Sequence, residues 1–185
     1  WTTFRAFGEQ AADAALTRLG MTRQVRTEDR KIGGGDSYPT DDTGRAALLA
    51  ALTRDFGVTS ARAAHALNHY GTGARHILEF CRTLSDVPLG AGEYTEAEFR
   101  YLIRHEFARS LADLLQRRTS LAITGALSSA SITRATAIFA EELGWPGAVA
   151  AQREADFRAL LAHDHGLTPS ILTQRDRTTG SLECA

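Results

Sequence analysis

The sequence predicts an all-α protein, an irregular bundle of about six to seven helices in consecutive hairpins. Apolar residues recur at helical spacing along most of the chain, and residues that cap or end helices stand between these stretches. No stretch alternates polar and apolar residues over the length of a strand between hairpin turns. At 185 residues the chain is long enough to fold around a core of its own.

The first predicted helix is set apart from the others. Residues 4–19 carry apolar side chains at helical spacing, and Gly20 follows as a stop signal. The periodicity then disappears, and the glycines at 33–35 favour a flexible linker or hinge. The end of the chain is polar and unpatterned, which is typical of a loosely attached tail. We therefore divide the chain into a helix at 1–19, a linker at 20–42, a helical domain at 43–165 and a flexible tail at 166–185.

The helical domain begins with three short helices, each preceded by a residue whose side chain can cap it. Glycines separate these helices and act as C-terminal stops. The predicted helices run from Asp42 or Thr43 to Phe56, from Thr59 or Ser60 to Gly71, and from Thr72 to about Leu84.

The helix after these has the strongest pattern in the chain. Thr95 and Glu98 form a potential capping box, in which each side chain satisfies the other's free backbone amide. The apolar face that follows continues to Leu115, so we predict one long helix here. Two further helices are predicted, from Ser131 to Leu143 and from Pro146 to about His163.

Opposite charges alternate along the long predicted helix. Their spacings of three, four and four residues place them on one stripe, which consists of Glu106, Arg109, Asp113 and Arg117. An exposed stripe of this kind contributes only a few tenths of a kcal/mol per pair. In a stripe buried against another surface, each charged side chain would need its oppositely charged partner, and loss of one partner would lower the stability by about 3–5 kcal/mol. The spacing alone favours the exposed stripe.

Candidate catalytic or metal-binding residues are few. His65 and His69 have the spacing of two metal ligands on one helix, with His76 nearby, but no carboxylate or cysteine completes the set. We therefore expect surface or hairpin-packing histidines, no metal site and no catalytic residue. Cys81 lies inside a predicted helix without an identifiable base, which favours a small core residue. The glycines at 33–35 follow no strand and precede no Lys-Ser or Lys-Thr, so the phosphate-loop pattern fails.

The composition excludes several functional classes. A formal net charge of -1 provides no general attraction for nucleic acid or an anionic membrane surface. No run of apolar residues is long enough to span a bilayer. The two cysteines, Cys81 and Cys184, form no disulfide framework and fit a reducing cytoplasm. The chain starts at Trp1 with neither Met nor a signal region, so we expect an excised piece of a longer protein.

Five segments resemble motifs of the aerobic glycerol-3-phosphate dehydrogenases and alpha-glycerophosphate oxidases, and they occur in the order of that family. The longest match is at 98–109, which resembles E-V-R-Y-L-V-R-H-E-x-A-R, and it continues at 113–119 with a segment similar to D-V-L-x-R-R-T. The start of the chain, 1–9, resembles W-T-T-Y-R-x-M-A-E. The segment 32–36 resembles the family's linker L-P-G-G-D, and 140–145 resembles a short motif before its last helix. The departures include Phe4, Gly8 and Gly33, which stand where the family often has Tyr, Ala and Pro.

The resemblance implies the C-terminal helical cap domain of a bacterial flavoenzyme that oxidises sn-glycerol 3-phosphate to dihydroxyacetone phosphate. FAD would belong to the full-length enzyme and not to this chain alone, and the electrons would pass to a membrane quinone or, in the oxidases, to oxygen. Residues 1–19 would be a helix carried over from the end of the missing N-terminal FAD-binding domain, which is the expected partner. The parent enzyme would be cytoplasmic and peripheral on the inner face of the cytoplasmic membrane.

Two sets of residues follow from the resemblance. Trp1, Thr2 and Thr3 are the residues expected near the flavin, as the only cofactor-binding residues of this chain. Arg117 and Arg118 are candidates to anchor the cap, either internally or against the catalytic domain. Two other interpretations stay open from the sequence: a free-standing helical interaction or regulatory domain, and a helix-turn-helix DNA-binding protein around 57–60. The near-zero net charge argues against nucleic acid as a partner.

Overall fold

A computed structural model describes residues 3–90 and 93–180. The described residues form nine α-helices, with a 3₁₀ turn at Gly71–Gly73 and a π-helical segment at Asp113–Arg118. The all-α prediction is confirmed. The helices are α1 Phe4–Arg18, α2 Asp42–Phe56, α3 Ser60–Tyr70, α4 Ala74–Cys81, α5 Glu96–His105, α6 Leu121–Thr124, α7 Ser129–Leu143, α8 Gly147–His165 and α9 Pro169–Gly180.

Two apolar clusters hold the helices together. The larger cluster surrounds α5 and α7, where Phe99, Ile132 and Phe139 have no exposed surface. Each of these side chains contributes roughly 1.5–3 kcal/mol when it leaves water. The smaller cluster joins α2, α3 and α4 around Leu52 and Leu67. Helix α4 belongs to both clusters, since Ile77 and Cys81 lie in the larger one and Leu78 lies in the smaller one, and α4 packs against both α3 and α5.

Helix starts follow the predicted side-chain chemistry closely, with shifts of a few residues. The Gly44 N–H donates to Asp41, one residue before the predicted cap, and the Arg62 N–H donates to Thr59. Helix α7 begins with a capping box between Ser128 and Ser131, so Ser131 is the third residue of the helix and not its cap.

The prediction that Thr72 caps a helix is wrong. Its hydroxyl donates to the backbone carbonyls of Gly34 and Asp36, which belong to the linker. The Thr72 N–H also donates to the Gly34 carbonyl, at 2.9 Å. The linker is therefore free of helix over 20–41, but it is docked at Gly34 and is not a free hinge over its whole length.

The prediction of one long central helix is also wrong. Helix α5 ends at His105, and Phe107 then takes a left-handed conformation with φ 55°. The backbone N–H groups of Arg109 and Ser110 donate to the carboxylate of Asp113, which starts a new helical segment. The break separates the predicted charged stripe into two parts, and only the Asp113–Arg117 pair remains, at 2.7 Å.

The expected flexible tail is a helix over part of its length. Helix α9 packs against α7, and Leu172 is 1% exposed. The Ala130 N–H at the start of α7 donates to the carboxylate of Asp176. The apolar contact of Leu172 and this hydrogen bond hold a segment whose sequence is polar overall. Residues 181–185 lie outside the described residues.

Candidate functional site

A buried charge cluster joins α3 to the start of α5. The Glu98 carboxylate has no exposed surface and lies 2.5 Å from Nη1 of Arg62. His65 Nε2 donates to the same carboxylate at 3.0 Å, and the Tyr70 hydroxyl donates to it as well. Arg62 also donates to the Glu93 carbonyl at 3.2 Å. We call Arg62, His65, Tyr70 and Glu98 the buried charge cluster.

The neighbouring side chains keep the Glu98 carboxylate, at the centre of the cluster, ionised. Burial alone would raise the pKa of Glu98, but the hydrogen bond from His65 and the charge of Arg62 outweigh burial and leave that pKa below its ordinary value. Burial, together with the Glu98 charge, raises the pKa of the Tyr70 hydroxyl, so Tyr70 remains a donor. Burial also raises the pKa of the neighbouring Cys81 thiol to about 12.

The cluster is suited to holding helices together and not to chemistry. A buried thiol with this pKa is not a nucleophile, and a carboxylate with no exposed surface cannot reach a substrate. Cys81 is a core residue, as predicted, at 1% exposure. The sequence prediction for Glu98 is wrong, because Glu98 turns into the protein and does not close a capping box. Only Thr95 accepts, from the Glu98 N–H at 3.3 Å.

Stability should fall as the pH is lowered, and Glu98 should account for part of that fall. The pKa of Glu98 is lower in the folded chain than the ordinary 4.5, so its contribution is complete above that pH and is lost as the pH falls below it. We expect the urea midpoint to decrease from neutral pH to about pH 3, with a shallower decrease in Glu98→Gln. An equally steep decrease in the variant would contradict this assignment.

A second charge network lies on the surface between α5 and α7. Arg100 contacts Glu141 and Glu142, and Arg104 Nε lies 2.5 Å from Glu142. The Arg104 hydrogen bond is the main reason that the pKa of Glu142 is lowered. The charged residues that form ion pairs between α5 and α7 are thus different from those of the stripe predicted from the sequence.

The predicted anchor arginines make only local contacts in the described residues. Arg117 is well exposed and pairs with Asp113 four residues earlier. Arg118 Nε donates to the Glu106 carbonyl at 2.9 Å, which ties the π-helical segment to the end of α5. Arg109 lies over the ring of Phe107, which is 77% exposed. A role for these arginines against another domain stays a prediction.

The histidines predicted as packing residues take two different positions. His65 is part of the buried charge cluster, whereas His69 is exposed and its Nδ1 donates to the His65 carbonyl at 2.9 Å. Within residues 3–90 and 93–180, no group of three or more His, Cys, Asp or Glu side chains could hold a metal ion. In the same part of the chain, no helix combines the length and apolar character that crossing a bilayer requires.

The N-terminal part of the chain has an exposed apolar surface. Helix α1 has no buried residue along its described length. It is joined to the linker by polar contacts, such as those of Arg23 with Glu9 and Asp13. The N-terminal apolar surface, as we call it, consists of Phe4, Phe7, Leu19, Met21, Val25 and Ile32, which are between 56% and 72% exposed. A groove of about 400 Å³ between α1 and the linker is lined by residues that include Phe4 and Ile32.

Of the three residues predicted to lie near a flavin, the structure describes only Thr3. Trp1 and Thr2 lie outside the described residues. Thr3 is exposed and directly precedes α1, and its carbonyl accepts from the Phe7 N–H at 2.9 Å. Their role in cofactor binding stays a prediction.

The family match and the individual relatives found by comparison with known proteins agree with each other. The pattern of the family described as the C-terminal domain of alpha-glycerophosphate oxidase matches residues 25–150. The mitochondrial glycerol-3-phosphate dehydrogenase of Arabidopsis thaliana is 27% identical over 158 residues, which cover 78% of this chain and 25% of that protein. The aerobic glycerol-3-phosphate dehydrogenase of Escherichia coli is 30% identical over 120 residues, which cover 64% of this chain and 23% of that protein.

The mitochondrial glycerol-3-phosphate dehydrogenase of Saccharomyces cerevisiae is 22% identical over 173 residues, with 78% of this chain and 26% of that protein covered. The chain thus spans about a quarter of the length of these relatives. The family match confirms the resemblance to this family. The chain belongs to the family of the C-terminal domain of alpha-glycerophosphate oxidase, whose relatives are glycerol-3-phosphate dehydrogenases.

Proposed function

We propose that this chain is the non-catalytic helical domain of a bacterial FAD-dependent enzyme that oxidises sn-glycerol 3-phosphate to dihydroxyacetone phosphate. The match over 25–150 to the alpha-glycerophosphate oxidase domain carries the proposal. In the parent enzyme the FAD accepts a hydride, and the electrons go on to a quinone. The enzyme is cytoplasmic and peripheral on the inner face of the cytoplasmic membrane.

The glycines at 33–35 are engaged in contacts within the chain. The glycines at 33–35 are the only glycine run, but Gly34 packs against Gly71 and both Thr72 donors occupy its carbonyl. They are therefore not free to hold a pyrophosphate. The flavin is held by an N-terminal domain, and this chain contributes at most Trp1, Thr2 and Thr3 at its edge.

The N-terminal apolar surface supports this arrangement. Soluble proteins rarely leave such groups of large apolar side chains uncovered unless another surface covers them. Phe7 is 72% exposed and Met21 is 57% exposed, on neighbouring segments that lack a core of their own. We propose that the FAD-binding domain of the same polypeptide covers this surface and so fixes the helical domain beside the flavin.

The test is to read the gene upstream of Trp1 and purify the protein that the whole reading frame encodes. That protein should show bound flavin and reduce a quinone analogue or an artificial dye when glycerol 3-phosphate is added. The 185-residue chain alone should do neither. A start codon immediately before Trp1, or flavin binding by this chain alone, would contradict the proposal.

A matched pair of variants tests the covering of the apolar surface. In the whole protein, Phe7→Ser should reduce flavin retention and the rate of dye reduction, because it places a polar group in the domain contact. Ile123→Ser on α6 changes another large apolar side chain, which is 90% exposed, and it should leave both unchanged. Equal effects of the two substitutions would count against the proposed contact.

A further inference from the structure

A polar cleft lies between the linker and the helical domain, next to the buried charge cluster, and Tyr70 of that cluster is part of its wall. Its volume is about 400 Å³. The linker contributes Gly33 and Gly34, and the other walls come from α3, α4, the C-terminal end of α5 and the π-helical segment that carries Arg118. We call it the linker cleft. Apart from Tyr70, whose hydroxyl already donates to Glu98, its polar side chains are those of His69, His76, Tyr101, Glu106 and Arg118.

Tyr101 gives the cleft an unused donor. The residue is only 8% exposed, and its ring contacts the rings of Phe80 and His76 at centroid distances of 5.3 and 5.8 Å. Among the described residues its hydroxyl has no hydrogen-bond partner, although the residue lines the cleft. Burial raises the pKa of Tyr101, and the Glu106 charge adds to this, so the phenol keeps its proton and can donate. The hydroxyl is not among the buried polar atoms that lack a partner, so it keeps accessible surface and can donate to a ligand in the cleft.

Arg118 gives the same cleft a charge that is held in place. Its Nε donates to the Glu106 carbonyl, which leaves both Nη groups available. Within the part of the chain that the structure describes, neither Nη group has a partner, and the Glu106 carboxylate has none either. A guanidinium that presents two N–H groups to the same side is suited to the oxygens of a phosphate or a carboxylate.

The remaining polar atoms of the cleft are acceptors. His69 donates through Nδ1 to the His65 carbonyl, so its Nε2 accepts while the ring is neutral. The Glu106 carboxylate also accepts. A simple anion would contact Arg118 and Tyr101 but would make no use of these two acceptors, which are exposed to solvent. A ligand with hydroxyl groups next to its anionic group would satisfy both sets.

We propose that the linker cleft binds a small hydroxylated oxyanion, with the anionic group at Arg118 and Tyr101 and a hydroxyl at Glu106 or His69. Phosphate esters of polyols and hydroxy acids share this chemistry. The proposal does not depend on the proposed enzyme activity, because it concerns only side chains of this chain and requires no flavin.

The experiment is a titration of the 185-residue chain at constant ionic strength with two matched pairs of compounds. One pair is glycerol 3-phosphate and propyl phosphate, and the other is glycerate and propionate. We expect saturable binding in which the hydroxylated member binds about fivefold more tightly than its partner. The pair that binds identifies whether the anionic group is a phosphate or a carboxylate. The imidazole NMR signals of His69 and His76 should shift, whereas His163, which is exposed at the end of α8, should not.

Three variants locate the binding. Arg118→Gln should weaken binding about tenfold or more, since a charged hydrogen bond is lost. Tyr101→Phe retains the ring and should weaken it about fivefold. Arg117→Gln is the matched control, because Arg117 pairs with Asp113 and does not line the cleft. Absence of saturable binding by all four compounds, or equal affinity of the Arg118→Gln and unsubstituted chains, would overturn the proposal.

Discussion

Replacing Glu98 by Gln should lower the free energy of unfolding by about 3–5 kcal/mol. The substitution preserves the size of the side chain but removes the charge that balances Arg62, whose side chain is 7% exposed. The nearest remaining carboxylate is that of Asp86, 3.9 Å from Arg62 Nε, which is too far for a direct hydrogen bond. His65 and Tyr70 would also lose an ionised acceptor. Urea denaturation followed by circular dichroism measures the change.

A surface substitution provides the control for this loss. Glu141 contacts Arg100 and Arg134 but is 51% exposed, so Glu141→Gln should cost less than about 1 kcal/mol. The double variant Arg62→Met with Glu98→Gln should lose less stability than the sum of the two single substitutions, because the second change removes the unbalanced charge. Additive losses, or equal costs for Glu98→Gln and Glu141→Gln, would show that Glu98 is not held as a buried ion pair.

Local patterns predicted the parts of the fold that depend on local chemistry. The start of α2 and the ends of α2 and α7 were predicted to within a residue, because a cap or a glycine stop acts over a few neighbouring residues. The apolar face of α5 was predicted as well. The break after His105 was not, because the apolar pattern continues across it and the cause is a capping interaction of Asp113.

The buried charge cluster required information that no single segment contains. Arg62 and Glu98 are 36 residues apart, and they meet only when α3 packs against α5. One signal was present in the sequence: Glu98 lies one turn before Leu102, on the apolar face of its helix. A charged residue in that position indicates a buried partner. Leu172 is a similar case, since Ile171 and Leu172 are the only large apolar residues of α9 and give no periodicity, yet Leu172 is buried against α7.

Replacing Gly71 by Ala should lower the free energy of unfolding by about 3 kcal/mol or more. Gly71 has φ 56° and ψ -133°, a conformation that costs a residue with a side chain about 1–3 kcal/mol. A Cβ at this position would also overlap the carbonyl of Gly34, because the two glycines pack backbone to backbone. The linker would have to move away, and the hydrogen bonds from Thr72 to the Gly34 carbonyl would be lost.

The variant Gly57→Ala is the control, because it introduces backbone strain at a positive φ without removing the linker contact. Gly57 also has a positive φ, of 65°, but a Cβ there would meet nothing within 4 Å. Gly57→Ala should therefore cost only about 1–2 kcal/mol, the conformational part of the effect. Hydrogen exchange of the Thr72 amide gives an independent measurement, since it should be protected in the unsubstituted chain and in Gly57→Ala but should exchange rapidly in Gly71→Ala. If the two variants lose equal stability and Thr72 stays protected in both, the linker is not held by this contact.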